Sequence, residues 1–154
     1  MNNFCSKCGL YKNVKNPCIW GRGDSNSKLL ILGEAPGATE DEMGIPFVGQ
    51  SGERLQSCLN TLDVPYFIAN AVRCRPTDTG GKNRTPLPTE IDCCKPLTIK
   101  LILSMSPKVI VTVGRIPTKQ VLGINMEMEA MRGIPFFHPH FNCFVVPTYH
   151  PSFL

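Results

Sequence analysis

Nowhere in these 154 residues does an apolar run approach the ~20 residues that a helix needs to cross a bilayer, so no membrane association is expected. The N-terminus, Met1-Asn2-Asn3-Phe4-Cys5, has no basic stretch leading into an apolar one, as a secretory signal would, and a cytoplasmic protein is expected. Internal repeats and low-complexity segments are missing too. Charge is scarce, at 18% of residues against a usual ~25%. What the chain has in excess is cysteine and proline, eight and fourteen residues. Eight cysteines in a short secreted chain would suggest a disulfide framework. Without a signal, and with 42% hydrophobic residues to build one core, metal ligation or buried thiols account for them better.

The formal charge is +4 and the isoelectric point about 8.7, a weak hint of a polyanionic partner. Its distribution says more: +4 over residues 1–33, −5 over 34–63, +5 over 73–115 and zero over 116–154. An acidic segment between two basic ones suggests a pocket bearing carboxylates, set in a surface able to hold phosphates.

Lys28 to Gly33 is a short continuous apolar run ending in glycine, as expected of a buried strand; Tyr66–Val72, Lys108–Gly114 and Phe144–Pro147 read the same way. Ser51–Leu62 places Leu55, Cys58, Leu59 and Leu62 at helical spacing, with Ser51 able to cap, and Cys58 on that stripe is expected in the core. Thr89 to about Met105 reads as a helix stopped by Pro107, and Pro117–Leu122 as a short one. Between Arg73 and Pro88, three prolines and two glycines without periodicity indicate a long irregular loop. Strands alternating with helices imply an α/β fold: one domain over 1–154 around a central, mostly parallel four-stranded sheet flanked by helices. Ligands of such sheets bind beyond the carboxyl ends of the strands, which selects Glu34-Ala35-Pro36-Gly37, Asn70, Gly114-Arg115 and Thr148-Tyr149-His150.

Cys5 and Cys8 form a CxxC pair able to reach one metal, and Cys74 with Cys93 or Cys94 could complete a set of four, pinning the proline loop to the N-terminus. This spacing suits zinc and an iron–sulfur cluster alike. Cys18, Cys58 and Cys143 are left as structural thiols. Glu34, Glu40, Asp41 and Glu42 crowd a loop with Gly33, Gly37 and Gly44, where backbone can approach a ligand closely. Phe47 could stack on a planar ring, Asn70 could offer a paired donor and acceptor to a base edge, and His150 could donate toward developing negative charge. Each of these residues, taken alone, is explained as well by an ordinary structural role. His138 and His140, flanking Pro139, are assigned none.

Together the segments become specific. Gly33-Glu34-Ala35-Pro36-Gly37 with Glu40-Asp41, Gly44-x-Pro46-Phe47-Val48-Gly49, Asn70-Ala71-Val72-Arg73-Cys74-Arg75-Pro76, Asn83-Arg84-x-Pro86-x-Pro88, Cys94-Lys95-Pro96-Leu97, Pro107-Lys108-Val109-Ile110, Arg132-Gly133 and His150-Pro151-Ser152 stand in order along nearly the whole chain. In this the sequence resembles the iron–sulfur (family 4) uracil-DNA glycosylases. The resemblance implies hydrolysis of the N-glycosidic bond of uracil flipped out of single- or double-stranded DNA, by a monomer. It implies a 4Fe-4S cluster on Cys5, Cys8, Cys74 and Cys94, zinc being the lesser alternative. Catalytic roles fall to Glu34, Glu40 and His150, with the roles of the two glutamates undivided. Substrate contacts fall to Ala35, Pro36, Phe47, Asn70 and Asn83, and phosphate contacts to Arg73, Arg75, Lys82 and Arg84. The loop from Arg75 to Arg84 is about four residues longer than the family pattern, with Thr77–Lys82 inserted, and no His lies between 73 and 94. The family pattern continues beyond His150-Pro151-Ser152 into a further helix, whereas this sequence ends at Leu154. A C-terminally short domain is therefore expected, and the alternative function is a catalytically inactive, glycosylase-like DNA-binding or protein-docking module.

Overall fold

The computed structural model describes residues 5–153; the N-terminal reading rested partly on Met1–Phe4, which with Leu154 lie outside them. Six strands form one sheet: β1 (Arg22–Gly23), β2 (Leu29–Gly33), β3 (Phe67–Asn70), β4 (Val109–Val113), β5 (Phe136–His138) and β6 (Cys143–Thr148), in the order β1-β3-β2-β4-β6-β5. The four expected strands are its parallel heart, with Leu32 opposite Ala69 and Thr112, and Val111 opposite Val146. The expectation of four strands is corrected by β1 and β5, which add antiparallel edges. Two and three residues long, they leave too short a pattern to read from sequence.

Both faces of the sheet are covered, which is why its strands are apolar at consecutive positions. On one face Leu30, Leu32, Ile110 and Val145 pack with Leu101 and Ile102 of α3 (Pro88–Met105) and Val121 of α4 (Arg115–Leu122). On the other, Ile31, Ile68 and Val113 pack with Phe47 and with Leu59 of α2 (Gln50–Leu59). Among the described residues no helix is long and apolar enough to cross a membrane.

Three local expectations are corrected. Helix α2 is capped by Gly49 rather than Ser51 and stops at Leu59, so Leu62 lies outside it; Gly52, Leu55 and Leu59 make its inner face, and Cys58, about 100° round from Leu59, is exposed. The proline loop is more ordered than its composition implies. Thr77 bridges Asn83, and Asp78 Oδ1 accepts the N–H groups of Gly80 and Lys82, both at 2.9 Å, folding the inserted residues into a tight hairpin-like turn. Arg73 is only 1% exposed and so cannot hold phosphate.

Candidate active site

A cavity of about 470 Å³ opens beyond the carboxyl ends of β2, β3 and β6. Glu34, Ala35, Pro36, Glu40, Phe47, Asn70, Asn83 and His150 all line it, so every substrate-contact and catalytic candidate comes to one place. The β2–β3 register explains part of this, since Gly33 pairs with Asn70. Each strand ends at the rim, and the ladder continues as the N–H of Ala71 donates to Gly33 O and that of Val72 to Glu34 O. Arg115, after β4, instead pairs with Glu127 and lines a neighbouring cavity that shares His150.

Phe47 is 7% exposed and holds φ 55°, a conformation rarely adopted by a bulky residue. Its surroundings dictate that conformation. A Cβ at Gly33 would collide with the Phe47 ring and lie 2.6 Å from Asn70 Oδ1; a Cβ at Gly52 would collide with the Phe47 backbone. Arg22 donates from Nε to Pro46 O (2.9 Å) and from Nη2 to Phe47 O (3.2 Å). Asn70 is 3% exposed, and its buried Oδ1 has no hydrogen-bond partner among the described residues. An unsatisfied buried acceptor costs about 1–3 kcal/mol, a deficit that a ligand N–H removes.

The two glutamates differ. Glu40 is engaged on both oxygens: Oε2 accepts the Gly37 N–H and Oε1 the Gly49 N–H, each at 3.1 Å, joining the starts of α1 (Ala38–Met43) and α2. The Glu34 carboxylate accepts no hydrogen bond among the described residues, and burial pushes its pKa up. The Ser152 N–H donates to His150 Nδ1 (3.2 Å), and Ser152 Oγ lies 2.8 Å from the same atom. Since a backbone N–H can only donate, Nδ1 is the acceptor, and the proton of the neutral ring sits on Nε2. Burial lowers the His150 pKa and favours that neutral form.

Arg84 grips Glu90 with two bonds of 2.9 and 2.7 Å, and Arg75 donates to Asn83 Oδ1 at 2.6 Å. These arginines shape the loop, and Arg84 reaches the cavity wall. Away from the cavity, Cys8, Cys74 and Cys94 pack in one cluster with Leu10 and Val72, and the Cys5 and Cys8 thiols lie close enough to act electrostatically on Cys74. Burial pushes Cys74 and Cys94 each up to about 11. Cys93 is half-buried and directed to Lys7 O, whereas Cys143 is buried in the core. Among the described residues no three potential ligands converge closely enough for a single metal ion.

A family model, the uracil DNA glycosylase superfamily, matches residues 20–154. The chain belongs to the uracil-DNA glycosylase superfamily. It is 38% identical to the type-4 uracil-DNA glycosylase of Saccharolobus solfataricus, over 96% of this chain and 71% of that protein. For the type-4 uracil-DNA glycosylase of Pyrobaculum aerophilum the identity is 41%, over 77% and 59%, and for that of Thermotoga maritima 33%, over 97% and 77%. Sequence reasoning overlooked Gln50 and Ser152, which line the cavity of this superfamily member, and Arg22, which holds the Phe47 loop. Only Ser152 carried a usable signal, as a hydroxyl two residues from a candidate histidine.

Proposed function

We propose that the protein excises uracil from DNA by hydrolysing its N-glycosidic bond. The observation that carries this reading is the buried, unpartnered Asn70 amide beside Phe47 at the cavity wall. Uracil matches it, with an N3–H donor next to a carbonyl acceptor, whereas cytosine presents the reverse order on the same edge. A base reaches such a cavity only after leaving the stack, at a cost of a few kcal/mol that the Phe47 ring face offsets by stacking.

As the C1′–N1 bond breaks, its electron pair moves onto the base and positive charge grows on the sugar. His150 Nε2–H donates to the uracil carbonyl oxygen that takes up the negative charge, with Nδ1 held by Ser152. Glu34, unencumbered and made more basic by burial, faces the developing cation and takes a proton from the water that attacks C1′. The departing base acquires a proton in turn. Glu40 is a positioning residue, because both its oxygens hold backbone.

The cysteine set fits a 4Fe-4S cluster better than zinc. One zinc ion draws four sulfurs to about 2.3 Å from a single point, whereas a four-iron core spaces them apart, each on its own iron. Cys5, Cys8, Cys74 and Cys94 would hold it, and its contribution is a structural tie between the N-terminal segment and the loop that follows β3.

The test is release of uracil from single- and double-stranded oligonucleotides, read as strand breaks after alkali. Breaks are expected at uracil only, and Asn70→Asp is expected to lower the rate at least ~10-fold by losing the amide donor. No breaks from folded, iron-loaded protein would refute the proposal.

A further inference from the structure

We infer that Arg73 is the buried counter-charge of the metal centre, and that the backbone N–H of Cys18 fastens one of its thiolates. This rests on the four-cysteine cluster reading above. The Arg73 guanidinium lies 4.7 Å from the Trp20 ring and donates from Nη1 to Trp20 O at 2.6 Å. Its Nε and Nη2 are buried without a partner among the described residues. Among the described residues no carboxylate forms an ion pair with it. A guanidinium buried in this way is costly unless an anion meets it. Four thiolates outweigh the positive charge of a 4Fe-4S core, so the occupied site is an anion of the required sign.

The backbone points the same way. The Cys18 N–H donates to Cys74 Sγ at 3.2 Å, and the Ile19 N–H donates to Arg73 O at 2.9 Å. Two backbone segments, tied to each other, thus hold an N–H against the buried Cys74 thiol beside Arg73. Cys18 adopts φ 53° there, uncommon for a residue with a Cβ. Net charge and hydrogen bonds to sulfur are the quantities that set the reduction potential of such a cluster.

The sign follows from charge. When the core takes one electron from an electrode, the assembly gains one negative charge, which a neighbouring cation stabilises. Removing the cation moves the midpoint potential to more negative values. The experiment measures iron and sulfide content and then the midpoint potential by spectroelectrochemistry on anaerobically purified full-length protein, Arg73→Gln and Arg73→Lys. Arg73→Gln is expected to shift the one-electron equilibrium by at least tenfold, about 59 mV, and Arg73→Lys by less than half as much. An unmoved potential in iron-bearing Arg73→Gln overturns the assignment of Arg73 alone, whereas absence of iron from the unsubstituted protein overturns the cluster reading beneath it. If Arg73→Gln does not retain iron, Arg73→Lys decides. Retention there supports a requirement for charge, and loss from both variants overturns the proposal, because the guanidinium is then needed for its packing on Trp20.

Discussion

Gly33→Ala is the smallest change that separates the site from the fold. The added Cβ would overlap the Phe47 ring and approach Asn70 Oδ1 to 2.6 Å, so the stacking ring and the base-reading amide must both yield. Overpacking of this kind costs about 1–3 kcal/mol, which for a domain of this size lowers the melting temperature by roughly 2–12 °C. The effect on chemistry is larger. A displacement of about 1 Å in a positioning group costs about 10²-fold, and loss of the amide hydrogen bond brings the expected fall in kcat/KM to roughly 10²–10³-fold. Ile110→Val is the control: it removes one methylene from the opposite face of the sheet at about 0.5–1.5 kcal/mol and leaves the cavity untouched. Both variants are compared in uracil release well below their melting temperatures. If Gly33→Ala keeps kcat/KM within threefold of the unsubstituted protein, Phe47 and Asn70 do not form the base site.

Glu40→Gln leaves one acceptor for two backbone donors and is expected to reduce kcat with little change in circular dichroism, whereas Glu34→Gln reduces kcat further because no proton acceptor remains; equal effects would contradict the division of roles. For His150, burial keeps the ring neutral below its ordinary ~6.5, so uracil release is expected to stay level from pH 8 through 6.5. A titration centred at or above 6.5 that vanishes in His150→Gln would show otherwise. Hydrogen bonds from Arg84 hold the Glu90 carboxyl below its usual range, so its stabilising contribution is complete above about pH 4.3 and fades as pH falls through the lowered value. Glu90→Gln is therefore expected to cost about 1–3 kcal/mol at pH 7 and less at pH 3, measured by thermal melts.

The parallel strands were legible because burial on both faces leaves uninterrupted apolar runs. Once they were placed, the rule for carboxyl ends led to the right rim, where Glu34, Asn70 and His150 now stand within one cavity. What escaped the sequence depends on partners distant in the chain. Arg73 reads as a solvated cation beside Arg75, and only the Trp20 ring and the cysteine cluster make its burial understandable. Cys58 was expected in the core because its spacing continued to Leu62, but the helix ends at Leu59 and rotates the thiol outward. Glu34 and Glu40 are chemically alike on paper; the N–H groups of Gly37 and Gly49 distinguish them.

The least legible element, the two-residue strand β1, bears on the site most directly. A left-handed Phe47 costs of order 1–3 kcal/mol and needs support from its surroundings. The glycines at 33 and 52 only make room; they supply no attraction. Arg22, carried by β1, supplies it through two charge-assisted bonds to the carbonyls of Pro46 and Phe47, and hydrogen bonds to charged groups contribute about 1.5–3 kcal/mol each. Gln56 Oε1, at 3.3 Å from both Nη1 and Nη2, holds the guanidinium in place from α2. The clamp is therefore strong enough to offset the strain, and pairing of Arg22 with Ile68 in the sheet is what brings it within reach of the loop. An edge strand that adds little to the core thus fixes the aromatic wall against which a flipped base would stack.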